Sequence, residues 1–135
     1  MMIKMPYDKS FLEVEIPDSQ VNTIVESEFA GLKPEKPQGE IVRNALANPV
    51  ASAPLAELSA KAKKIVVITS DHTRPVPSNI TLPILLGEIR KGNPDADVTI
   101  LIATGCHRPM TQEEMIRKFG EEIVKREKII NHDCD

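Results

Sequence analysis

Hydrophobic positions change rhythm along this chain, and the changes mark its elements. Over residues 10–16 they alternate, with Leu12, Val14 and Ile16 on one face and Glu13 and Glu15 on the other, the two-residue period of a half-buried strand. Pro17-Asp18 turns the chain, a weaker strand is predicted at 21–25, and the Pro- and Gly-rich stretch 31–39 reads as a loop. The period then becomes helical. Ile41, Val42, Ala45 and Leu46 recur at helix spacing up to Asn48-Pro49, and a second short helix is predicted from Pro54 to Ala62 through Leu55 and Leu58. Both helices are expected to cover a sheet.

From residue 64 the pattern is stronger. Ile65-Val66-Val67-Ile68 is an unbroken β-branched run, which predicts a strand over 65–69 buried on both faces. A polar loop, Ser70 to Pro77, leads to a helix with Leu82, Leu85, Leu86 and Ile89 in one stripe; Pro83 is expected near its first turn, and Gly92-Asn93-Pro94 ends it. Val98 to Ala103 repeats the buried-strand pattern. After the loop 104–110, Thr111-Gln112-Glu113-Glu114 has the form of a capping box opening a helix to Phe119, with Gly120 as its stop and a further turn or two over 121–127. Lys128 to Asn131 begins a third strand.

This βαβαβ series predicts right-handed crossovers and hence parallel strands. The fold expected is α/β: a Rossmann-like three-layer parallel sheet with a small amino-terminal β segment. One domain is expected over 1–135, with an amino-terminal β/loop/helix segment at 1–50 and the βαβαβ core at 54–135.

Composition narrows the function. The 135 residues are 41% hydrophobic and 27% charged, enough apolar material for a real core. With 17 Lys and Arg against 20 Asp and Glu, the net charge of −3 and the lack of a basic cluster disfavour nucleic-acid and anionic-membrane partners. Four aromatic residues, none of them Trp, supply no stacking platform. No apolar run approaches a bilayer's thickness, and residues 1–8 lack a secretory leader's apolar stretch, so a cytoplasmic location is expected. Cys106 and Cys134 are read as reduced thiols.

In an open parallel sheet, ligands bind beyond the carboxyl ends of the strands. There this chain carries Asp71, His72 and Arg74, then Cys106, His107 and Arg108, then His132 and Asp133, so all three of its histidines follow predicted strands. Arg74, hemmed by Pro75 and Pro77, is suited to hold a carboxylate or phosphate, or else it bonds loop carbonyls. Asp71 could hold a ribose hydroxyl, orient a histidine or cap its own loop. His107 lies in a Gly-flanked loop and carries an imidazole, a group that can take and return a proton at neutral pH, or else it is structural; His72 is taken as scaffold. Adjacent Cys106 and His107 project apart and no Cys-x-x-Cys or His-x-x-x-His pair occurs, so neither a zinc site nor a nucleophile pair is favoured. Glycine-rich nucleotide cradles are missing too.

Two strings, Asp71-His72-Thr73-Arg74-Pro75-Val76-Pro77 and Ala103-Thr104-Gly105-Cys106-His107-Arg108-Pro109-Met110-Thr111, with Asn131-His132-Asp133, resemble the nickel-dependent lactate racemase family over the leading part of its longer, two-domain chain. The resemblance implies a racemase or epimerase in which a nickel pincer nucleotide, tethered to a lysine, accepts and returns the α-hydride of a 2-hydroxy acid. It implies that His107 is one of two catalytic histidines, the base on the 2-hydroxyl, that Arg74 binds the substrate carboxylate, and that Asp71 lies near the cofactor. His132 and Asp133 receive no catalytic step. The second histidine, the tethering lysine and the nickel-binding histidine lie beyond Asp135 by this reading. The chain is therefore expected to be the amino-terminal part of such an enzyme, inactive alone, binding no metal itself and partnered by the rest of the protein. The alternative is a non-catalytic binding or assembly module that keeps the fold, with homo-oligomerisation open in either case.

Overall fold

A computed structural model describes residues 1–134, the Ala30 side chain excepted, and divides the chain into two compact units, Met1–Pro34 and the remainder from Glu35. In the first unit β1 (Met2–Tyr7) and β2 (Ser10–Glu15) form an antiparallel hairpin, paired from Met2 with Glu15 to Tyr7 with Ser10. The two-residue turn Asp8-Lys9 places Asp8 at φ 51°, the left-handed region that such tight hairpins require. The strand expected over 10–16 is β2; its partner β1, in which Ile3, Met5 and Tyr7 also alternate, was not foreseen. The strand expected at 21–25 does not form. Residues 21–27 have no regular structure, and with Val25 90% exposed and Ile24 55% exposed the segment buries no apolar face that would hold a strand in place.

The second unit is built on β4 (Asp97–Ala103), the centre of a three-stranded sheet in the order β3-β4-β5, with β3 at Lys64–Ser70 and β5 at Lys128–Asn131. All pairing is parallel, Ser70 lying beside Ala103 and Ile102 beside Asn131, so the three carboxyl ends share one rim. Register partners in a parallel pair point to the same side. Ile65 and Val67, Val98, Ile100 and Ile102, and Ile129 therefore make one apolar face. Against it pack α3 (Ser78–Gly92) through Leu82, Leu86 and Ile89, α4 (Gln112–Phe119) through Phe119, and α5 (Glu121–Arg126) through Ile123 and Val124. Ile100 and Ile102 retain no exposure at all.

The α/β class and the parallel order are as expected. The expected three layers are two among the described residues, because successive right-handed crossovers in a β3-β4-β5 order put both connections on the same side. The opposite face is bare, with Val66 60% and Ile68 70% exposed, which corrects the reading of β3 as a strand buried on both faces. The two helices expected to cover the sheet, α1 (Gln38–Ala47) and α2 (Leu55–Ala60), pack on α3, α2 reaching the core through Leu55. Ser59 Oγ donates to the Ile89 carbonyl at 3.1 Å, and a Cβ on Gly92 would lie 1.9 Å from the Ala56 carbonyl oxygen. Gly92 is thus a close-approach residue as well as a helix stop.

Pro83 is another correction. Helix α3 begins at Ser78, so Pro83 falls in its second turn and leaves the carbonyl of Asn79 without its helical donor. Asn79 is exposed, and water can serve that carbonyl. The capping box is formed as the spacing predicts: Thr111 Oγ1 accepts from the Glu114 N–H at 3.3 Å, and Glu114 accepts from the Thr111 N–H at 2.9 Å. No helix among the described residues is long and apolar enough to cross a membrane.

Candidate functional site

The loop leaving β3 folds around Asp71. Its Oδ1 accepts from the Thr73 N–H at 3.0 Å and from the Thr73 hydroxyl at 2.7 Å, the side-chain-to-backbone turn that an Asp with Thr two residues on can form. Its Oδ2 lies 2.5 Å from His107 Nδ1, across 36 residues of sequence. The side chain is only 2% exposed, and burial alone would push its pKa up. The Thr73 hydroxyl bond, together with His107, outweighs burial and holds the carboxyl well below the usual range. Asp71 is therefore an ionised, acceptor-only partner, so Nδ1 of His107 must carry the proton and Nε2 is left free for chemistry.

The second loop is fastened to β5. Thr104 Oγ1 donates to the His132 carbonyl at 2.6 Å, the His132 N–H donates to the Ile102 carbonyl at 2.9 Å, and the Asn131 amide clasps both the N–H and the carbonyl of Met110. Gly105, at φ 57°, makes the turn that brings the His107 N–H to the Thr104 carbonyl. Arg108 points away into a two-pronged pair with Glu114 at 2.7 and 2.9 Å. Buried Met110 anchors the loop's far end in the core. His107 is thereby held from both sides while its side chain stays 45% exposed.

Asp71, Arg74 and His107 line one cavity of about 540 Å³ at the strand tips, together with Ser70, Thr104 and Cys106. The rim thus gathers the three residues singled out from sequence. His72 and a second aspect of Arg74 line a neighbouring hollow against α4, while His132 and Asp133 lie with His107 in a third. Of the roles left open for Asp71, two are realised together: it caps its loop and it holds a histidine. Cys106 and Cys134 are free, exposed thiols, as read from sequence. Among the described residues no three His, Cys, Asp or Glu side chains gather as a metal site.

Four residues that position this rim were not singled out. Thr73 carried a visible signal, the Asp-x-Thr spacing. Thr104, Asn131 and Lys118, whose ammonium donates to the Arg74 carbonyl at 2.8 Å, act across long sequence separations that no local pattern encodes.

Comparison with known proteins finds matches along nearly the whole chain. The model of the lactate racemase N-terminal domain family matches residues 7–135. A lactate racemase of Thermoanaerobacterium thermosaccharolyticum is 50% identical over 131 residues, 97% of this chain and 31% of that protein. Its counterpart in Lactiplantibacillus plantarum is 45% identical over 130 residues, 96% of this chain and 31% of that protein. The solved structure of the lactate racemase apoprotein from Thermoanaerobacterium thermosaccharolyticum superimposes with a TM-score of 0.85 at 48% identity, covering 98% of this chain and 30% of that one. The chain thus spans about a third of the length of these relatives, and a family match across nearly all of its own residues makes it a member of the lactate racemase N-terminal domain family.

Proposed function

We propose that this chain is the amino-terminal part of a lactate racemase-like enzyme that inverts a 2-hydroxy acid at its α-carbon by hydride transfer to a nickel pincer nucleotide, and that it is inactive alone. The observation that carries the reading is the buried Asp71 carboxylate holding His107 on the same cavity as Arg74. Arg74 takes the substrate carboxylate, for which a guanidinium fork is matched. His107 Nε2 removes the 2-hydroxyl proton, and the anionic Asp71 stabilises the imidazolium that results. The proton then returns to the same oxygen, so the chain's residues end the cycle as they began it.

When bound, the nickel pincer nucleotide would supply the hydride acceptor. The donor set fits the substrate side of such a site: base, anion anchor and the buried Ser70 hydroxyl, which has no partner among the described residues. This reading assigns the metal and its tether to the rest of the protein, the partner it requires. Asp71 acts first through His107. Three donors occupy its oxygens, and one lone pair remains for a cofactor hydroxyl. Two free thiols accord with a cytoplasmic setting.

The test is made in the full-length, cofactor-loaded enzyme. His107→Ala should abolish hydrogen exchange at the substrate α-carbon, and Asp71→Asn should lower kcat by about 10²–10⁴-fold, the range for disabling a general base. Full turnover in His107→Ala overturns the reading.

A further inference from the structure

Cys106 and Cys134 line one hollow of about 510 Å³ at the rim, between the loop after β4 and the segment leaving β5, and the reaction above uses neither. Both are exposed and free, and neither thiol has a hydrogen-bond partner among the described residues. That they share a hollow follows from the sheet. The Thr104 hydroxyl donates to the His132 carbonyl at 2.6 Å, and each cysteine lies two residues beyond that clasp, on the ends of neighbouring parallel strands. Adjacent strands run about 4.8 Å apart, and a disulfide joins Cα atoms about 4.4–6.8 Å apart. The loop also has room to adjust. Gly105, at φ 57°, precedes Cys106, and nothing stands within 4 Å of where its Cβ would be.

Two thiols beside His107 and His132 invite a soft metal ion, but among the described residues no three His, Cys, Asp or Glu side chains gather as a metal site. The chemistry left to a pair of thiols is reversible oxidation to a disulfide.

We propose that Cys106 and Cys134 form a thiol–disulfide exchange pair, oxidised by a small-molecule disulfide of the glutathione class, whose closure switches the site off by drawing the His107 loop toward β5. The Cys106 thiolate attacks one sulfur of the small disulfide, whose S–S bond breaks and whose other half leaves as a thiolate. The Cys134 thiolate then attacks the Cys106 sulfur and expels the second half. Two protein thiols are oxidised, one small disulfide is reduced to two thiols, and the protons given up by the cysteines end on the leaving thiolates. In a reducing compartment such a pair rests open and closes transiently. The effect on the site passes through the next residue in the chain. His107 must keep Nδ1 on Asp71 for Nε2 to act as a base, so the loss of activity rests on the function proposed above, whereas the exchange itself does not.

The test uses the full-length, cofactor-loaded enzyme. Its racemisation rate is measured first in the reduced state, so a failure of the proposed function shows before any oxidant is added. Under rising ratios of oxidised to reduced glutathione, peptide mapping by mass spectrometry should find Cys106 and Cys134 joined, two hydrogens lighter than the free peptides. Turnover should fall in proportion to the joined fraction and return with dithiothreitol. Diamide oxidises a thiol pair without leaving an adduct, its azo bond taking up the two hydrogens; it should inactivate the wild type and spare Cys134→Ser. Because Cys134 is exposed, an unaltered melting temperature certifies the fold of that variant. The proposal is overturned if the two cysteines do not join, if the joined enzyme turns over as fast as the reduced one, or if diamide inactivates Cys134→Ser as fully as the wild type.

Discussion

Asp71 shows how a buried charge is kept ionised. A carboxylate this enclosed survives ionised only because the Thr73 hydroxyl, the Thr73 N–H and the His107 ring all donate to it. Arg74 makes a different use of its position, since its backbone is pinned by Lys118 while its guanidinium stays open. Arg74→Lys keeps the charge and loses the fork, so KM for the hydroxy acid should rise in the full-length enzyme while stability stays within ~0.5 kcal/mol; a large fall in melting temperature would make Arg74 a structural residue. Glu114 sets a pH dependence of its own. The Arg108 fork, with the Thr111 N–H, draws its carboxyl from 4.5 to about 2. A folded-state pKa below the unfolded one adds stability that is complete above pH 4.5 and disappears as the pH falls toward 2. Arg108 is exposed and Glu114 partly so, and solvent and salt screen the pair, so the effect is small. Acid titration followed by circular dichroism should show it, and Glu114→Gln should flatten that part of the curve; an unchanged curve refutes the assignment.

At the scale of elements, the two faces of the sheet invite a direct contrast. Ile100→Ala, at a position with no exposure, should cost about 2–5 kcal/mol in chemical denaturation, whereas Ile68→Ala, 70% exposed one register away, should cost under about 1 kcal/mol. Equal losses would mean that the bare face is covered. Gly92→Ala should cost ~1–3 kcal/mol by forcing α2 off α3. Much of this was legible. The β-branched runs at 65–68 and 98–102, the Leu stripe of α3 and the Thr111 to Glu114 box each encode their element within a few residues. What local pattern could not supply was coverage: Val66 and Ile68 look like core residues from sequence, and only the order of the strands decides that both crossovers lie on the other side. The site divides in the same way. Strand ends announced Asp71, Arg74 and His107, but the bond from Asp71 to His107 spans 36 residues and exists only once β3 and β4 are in register.

Across the whole molecule, stability is distributed unevenly. The amino-terminal unit is a two-stranded hairpin with most side chains exposed, an arrangement that is marginal in water. The sheet of the second unit has its central strand fully enclosed on one face. Native-state hydrogen exchange should therefore show the Ile100 and Ile102 amides opening last, and those of β1 and β2 hours to days sooner in protection. Comparable protection in both would contradict the division into units of unequal strength. The uncovered sheet surface carries one more implication. Val66 and Ile68, with Ile130 at 42% exposure, form an oily plane running up to Ser70, where the cavity lined by Asp71, Arg74 and His107 begins. Anything that roofs this plane would also wall the cavity from that side, so under the proposed function the choice of acid would be decided jointly by this chain and its roof.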